Sequence, residues 1–318
     1  MRRRAFGAVA VGAALQAWLG CDRRSGIVGA TASPARVDDA RASGADAGVS
    51  PPDRWTSVDF PTERPGNGPP FGRAMFRTPG GAQPKPAALI ALHGHAESLE
   101  GLDVGARAWK DHYLLDTAYA RVSAPPLTST DAGGFLQQAQ LDEINHGLAE
   151  RPFQGLTVAC PFTPDMVDPT SDLAIAYGDF LVDQVLGKAR ELSPGIDSRV
   201  GIDGISMGGR IALMVGLSRP EVFRSVGCLQ PFLKEEEAEA FAGLAARATT
   251  KQAIRLVTAE SDPSVDGIRA LSRALAAREI EHSVVIAGGG HDYPWIKTAG
   301  ALEMLFFHDR ALRVAPEG

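Results

Sequence analysis

The pattern of this chain predicts an α/β fold with a doubly wound, mostly parallel sheet, and three observations carry that prediction. Continuous apolar runs of strand length recur at residues 87–92, 156–160 and 254–258, as strands covered on both faces require. Helical stretches alternate with these runs. One short strand passes straight through a glycine-flanked turn into a helix, at Gly201-Ile202-Asp203-Gly204-Ile205-Ser206-Met207-Gly208-Gly209-Arg210.

The chain has 318 residues, 44% hydrophobic and 22% charged, with a net charge of −6. That composition suits a globular protein and argues against a nucleic-acid partner, since no basic cluster is present. Met1-Arg2-Arg3-Arg4 is a basic start, and residues 5–20 are apolar, small and too short for a comfortable membrane span. Leu19-Gly20-Cys21 resembles a bacterial lipoprotein cleavage site, in which Cys21 becomes the lipid-bearing first residue; Trp18 departs from the aliphatic residue usual there. Arg3-Arg4-Ala5-Phe6 also resembles a twin-arginine signal, from which Gly7 departs. Residues 1–21 are therefore expected to be a signal peptide that sends the protein to the cell envelope, lipid-anchored to a membrane through Cys21 or secreted. An ordinary cleaved signal and an uncleaved anchor are the alternatives, and both also imply export.

Residues 22–52 are rich in Ala, Ser, Gly, Asp and Pro. Such a stretch buries too little surface to offset its ordering entropy, so a disordered tether is expected. The globular domain then occupies residues 53–318. Beyond Cys21 its cysteines are Cys160 and Cys228. The expected strand order puts two other strands between theirs, and strands lie about 4.8 Å apart. A disulfide cannot span that distance, so two buried free thiols are expected.

Within the domain, residues 71–78 read as an early strand and 87–92 as a buried one running into His93-Gly94-His95. A long helical insertion follows at 101–155, with helices near 105–122 and 136–148. Cover for a site and surface decoration are its two readings. It starts at the C-terminal edge of the sheet and carries Trp109, Tyr113 and Phe135, so it is expected to shape substrate specificity. Strand 156–160, helix 171–192 and the elbow strand come next. Residues 211–217 form an apolar helix stopped near Pro220. Strand 224–229, a helix with an acidic start at 235–247, strand 254–258, helix 264–278 and a last strand at 282–286 complete the alternation.

The chemistry collects just beyond strand ends. Gly204-Ile205-Ser206-Met207-Gly208 matches G-x-S-x-G, where a serine on a sharp strand-to-helix corner needs glycine neighbours to let the corner close. A glycine-rich turn that merely contains serine also matches those letters; the flanking strand and helix argue against it. A serine hydroxyl is a poor nucleophile at neutral pH. It needs an imidazole to take its proton and a carboxylate to fix the imidazole's tautomer. Asp262 and His291 follow in the order Ser, acid, His, each directly after a strand. Asp262 is preferred to Asp266, which already enters the helix. The main-chain N–H groups of His95 and Met207 are the expected oxyanion hole. His93 and His95 also resemble part of a zinc set, but no third ligand follows at a suitable spacing.

From about Ala87 onward the chain resembles the esterase branch of the α/β-hydrolases that includes esterase D, feruloyl esterases and acetyl xylan esterases. The matching pieces are Leu92-His93-Gly94-His95, the Ser206 elbow, Ser261-Asp262-Pro263 and Gly289-Gly290-His291-Asp292. The resemblance implies hydrolysis of small carboxylic esters through an acyl-serine intermediate, with no metal and no organic cofactor. The length of 101–155 departs from the shorter members, and Asp203 is out of place in an apolar central strand unless it finds a polar partner. Two other functions compete: an acyltransferase of the same fold, and a non-catalytic envelope lipoprotein that binds ligands. A peptidase lacks support, since no propeller-sized domain precedes this one.

Overall fold

The strand that leads into Ser206 lies in the middle of an eight-stranded sheet ordered β1-β2-β4-β3-β5-β6-β7-β8. This arrangement is seen in a computed structural model, which describes residues 54–61, 71–80, 86–168 and 171–313. The expected signal peptide with Cys21, the expected tether and Asp53 lie outside the described residues.

The outer strands β1 (Arg54–Asp59) and β2 (Arg73–Thr78) run antiparallel to each other, and β2 is antiparallel to β4 (Thr157–Pro161). From there β3 (Ala88–Leu92), β5 (Val200–Gly204), β6 (Ser225–Leu229), β7 (Ala253–Ala259) and β8 (Ser283–Ala287) are all parallel. Every strand from β3 to β8 therefore ends at one edge, where ligands bind in open α/β sheets.

After β3 come α1 (His95–Leu99), α2 (Leu102–Asp111), α3 (Leu115–Ser123) and α4 (Gln138–Glu150). The crossover from β4 to β5 is α5 (Ser171–Phe180), a π-helical turn at Leu181–Val185, and α6 (Leu186–Leu192). The elbow helix is α7 (Met207–Ser218); α8 (Ala238–Ala245) and α9 (Val265–Ala276) follow β6 and β7. A short α10 (Tyr293–Trp295) and then α11 (Ala301–Ala311) close the described chain.

Strand side chains alternate between two cores. Ile90, Leu92, Ile202 and Val226 pack with helices α5 to α9. Leu89, Ala91, Leu229 and Val257 pack with the layer formed by α2, α3, α4 and α11. The expected helical section is thus largely a packed layer: Trp109 and Tyr113 are buried in this second core, while Phe135 sits at its edge. Cys160 on β4 and Cys228 on β6 are buried free thiols, with β3 and β5 between their strands.

Besides the short helices α1 and α10, two elements have no counterpart in the sequence analysis. β1 is a half-exposed edge strand whose Arg-Trp-Thr-Ser-Val-Asp run shows no apolar stripe. α11 lies on β6 and β7, and three polar residues, Glu303, His308 and Asp309, interrupt its apolar pattern although all are buried. Their partners explain this. His308 Nε2 lies 3.0 Å from Asp203 Oδ2 and its Nδ1 2.7 Å from Ser225 Oγ. Glu303 pairs with Arg255 of β7. Asp203, unplaced by sequence, is therefore the sheet's anchor for α11. Gly201 and Gly227 make room for it, since a Cβ at either would run into His308, Ser225 or Asp203.

Candidate active site

Ser206 has φ 56° and ψ −119°, a backbone conformation that L-residues with a side chain rarely hold. Such a residue persists only where its surroundings over-determine it. Here they do: the N–H groups of Ile205 and Ser206 donate to Leu92 and Leu229 carbonyls at 3.1 and 3.0 Å, and Phe232 N–H donates to Ser206 O at 3.0 Å. A Cβ at Gly204 would meet the Gly208 backbone, and one at Gly208 would strike the carbonyls of Leu92 and His93. The corner closes only because both positions lack side chains. Ser206 stays half-exposed at the start of α7.

Asp262 and His291 stand on neighbouring loops beyond β7 and β8. Backbone bonds continue between those loops past the strand ends, from Glu260 N–H to Ala287 O at 2.9 Å and from Ser261 N–H to Gly289 O at 3.0 Å. His291 Nδ1 lies 2.7 Å from Asp262 Oδ2, while Asp262 Oδ1 accepts from Ser264 N–H at 2.6 Å. Asp262 is buried and His291 exposed. With Nδ1–H donating to the carboxylate, the lone pair of Nε2 is left free to act as a base. Asp266, by contrast, is exposed and pairs with Arg269.

The fold brings Ser206, Asp262 and His291 to one edge of the sheet without joining all three. No hydrogen bond links Ser206 Oγ to His291 among the described residues. Gln230, the residue after β6, forms the bridge between their loops. Its neighbour Leu229 accepts the Ser206 N–H, and its own Nε2 donates to Gly290 O at 2.8 Å. Gln230 is fully buried with φ 41°. Sequence reading passed over it, because a glutamine after a strand carries no motif.

The other side of the corner is built by the β3 loop. His93 is buried; its Nδ1 donates to Gly94 O at 2.9 Å and its Nε2 accepts from Thr163 N–H at 2.8 Å. Burial pushes its pKa down from 6.5 to about 4, outweighing the Gly94 bond. Both ring nitrogens are engaged, so His93 serves as a neutral strut for the loop after β4. No cluster of three or more metal-ligating side chains occurs among the described residues. His95 begins α1 and Met207 begins α7. As first residues of helices, their N–H groups have no intrahelical acceptor. The His95 side chain is half-exposed, 3.4 Å from Asp165, and Met166 N–H packs on Met207 Sδ at 3.2 Å.

Residues 168–297 match the Esterase family, described as "Putative esterase". No curated protein matches the chain. Among solved structures, a ferulic acid esterase is similar at TM-score 0.59 and 13% identity, over 82% of this chain and 99% of its own. The S-formylglutathione hydrolase FrmB from Staphylococcus aureus is similar at TM-score 0.51 and 11% identity, over 82% and 100%. The feruloyl esterase module from Clostridium thermocellum complexed with sinapinate is similar at TM-score 0.53 and 13% identity, over 80% and 88%. At such identities the likeness speaks for the fold, which is that of the α/β-hydrolases. Because the esterase match spans the serine corner, the acid and the base together, the chain is a carboxylic ester hydrolase.

Proposed function

We propose that the chain is a serine carboxylesterase of the cell envelope that works through an acyl-serine intermediate. The observation that carries the mechanism is the 2.7 Å bond between His291 Nδ1 and Asp262 Oδ2, on loops beyond the same sheet edge as the strained Ser206. In this reading His291 Nε2 takes the proton as Ser206 Oγ attacks the ester carbonyl. The tetrahedral oxyanion accepts hydrogen bonds from the N–H groups of His95 and Met207, each worth about 3 kcal/mol. The C–O bond to the alcohol breaks, and His291 gives the alcohol its proton. Water, deprotonated by the same nitrogen, then attacks the acyl-serine and releases the carboxylic acid.

The envelope location rests on residues 1–21 alone; wild type should partition with bacterial membranes and Cys21→Ser should not. Specificity would come from residues bordering the His291 loop. Phe135 of the section 101–155 is one of them: its carbonyl accepts Gly288 N–H at 2.8 Å and its ring leaves no room for a Cβ at Gly289.

The mechanism is tested by acid-quenching the protein during turnover of a p-nitrophenyl ester and mapping the acylated peptide by mass. An acyl adduct on Ser206 is the expected result. Turnover with an adduct on another residue would overturn the mechanism.

A further inference from the structure

Glu97 is buried two residues after His95, on α1, yet it belongs to no part of the mechanism above. Its carboxylate accepts two short hydrogen bonds, from Tyr113 Oη to Oε2 and from Tyr293 Oη to Oε1, both 2.6 Å. Tyr113 Oη in turn accepts from Gly94 N–H at 3.1 Å. The two phenol rings lie 6.0 Å apart. One carboxylate thus joins the turn that carries the His95 N–H to the loop that carries His291, since Tyr293 is only two residues beyond that histidine. Burial raises the Glu97 pKa, but the tyrosine bonds outweigh it and hold the carboxyl below its usual range.

Stability alone is a poor account of this arrangement. An apolar side chain in such a space is commonly as stable as a buried carboxylate with its partners. What a carboxylate adds is direction, through two charge-assisted bonds of defined length. The histidine loop is already fixed on its other side, by Gln230 at Gly290 and Asp262 at His291. The Tyr293–Glu97 bond opposes displacement of that loop from the β3 turn. We propose that Glu97 is a positioning residue, acting through Tyr113 and Tyr293 to set the distance between the oxyanion donor at His95 and the base at His291.

The inference rests on the serine-esterase reading and is tested apart from it. Tyr293→Phe keeps the ring and removes only the hydroxyl of a partly exposed residue, so it is the decisive variant. Steady-state kinetics on a p-nitrophenyl ester and affinity for an alkyl boronic acid are measured beside thermal melting for wild type, Tyr293→Phe, Glu97→Gln and the double variant. A displacement near 1 Å costs about 10²-fold in rate, and the loss of one of two bonds should be smaller. Tyr293→Phe is expected to lower kcat about tenfold with KM unchanged, and to weaken the boronic acid by the same factor. The double variant should be no slower than Glu97→Gln, because both changes cut one connection. Wild-type kcat in a folded Tyr293→Phe, a loss confined to KM or melting temperature, or multiplying losses in the double variant would overturn the proposal. Failure of the wild type itself to turn over esters would instead sink the esterase reading.

Discussion

In the proposed mechanism His291 depends on the atom it does not offer the substrate. Nδ1 is committed to Asp262 at 2.7 Å, so the tautomer is set and Nε2 carries the lone pair. Asp262→Asn would reverse that preference, since an amide nitrogen facing Nδ1 forces the proton to the other nitrogen. It is expected to lower kcat by about 10⁴, as a wrong tautomer does in the template serine protease, while Asp266→Asn stays near wild type. Steady-state kinetics on the two variants decide between the acids. Ser206, Asp262 and His291 were legible in sequence because each directly follows a strand, so chain order alone brought them to one edge. Gln230, Glu97 and Tyr293 were not. Tyr293 and Glu97 are 196 residues apart in the chain, and no local spacing marks such a pair.

The helices show the same division. α7 was readable because Gly204 and Gly208 must be bare for the corner to close, and that requirement is written at fixed spacing. α11 was not, because buried Glu303 and His308 mimic a surface pattern until the sheet beneath supplies partners. The Asp203–His308–Ser225 chain is the clearest case: an aspartate that looked misplaced on β5 is the other half of a histidine 105 residues away. His308→Leu would leave Asp203 buried without its ring partner, and breaking such a pair by removing one member costs about 3–5 kcal/mol. A chemical-denaturation midpoint lowered to match is the expected outcome, with the Ser206 corner still formed in the fraction that folds. An unchanged midpoint would mean that the Asp203–His308 pair adds nothing to the hold on α11.

The protein as a whole should lose stability on the acid side for a reason that can be assigned. Buried His93 is depressed to about 4, whereas an unfolded histidine titrates near 6.5. Between those values the unfolded chain binds the extra proton, so stability is complete above the unfolded value and falls as pH drops through the window. The full effect is on the order of 3 kcal/mol. Melting temperatures between pH 7 and pH 4 should show this slope, and His93→Gln should flatten it whatever it does to the plateau.

The role of Ser206 at the β5–α7 corner is the claim on which the proposed function depends. The most direct measurement is ester turnover by Ser206→Ala beside wild type, with a fluorophosphonate probe reporting on the same samples. Wild type should be labelled and active, and the variant should lose labelling and several orders of magnitude in kcat. Turnover by Ser206→Ala at the wild-type rate would contradict the account.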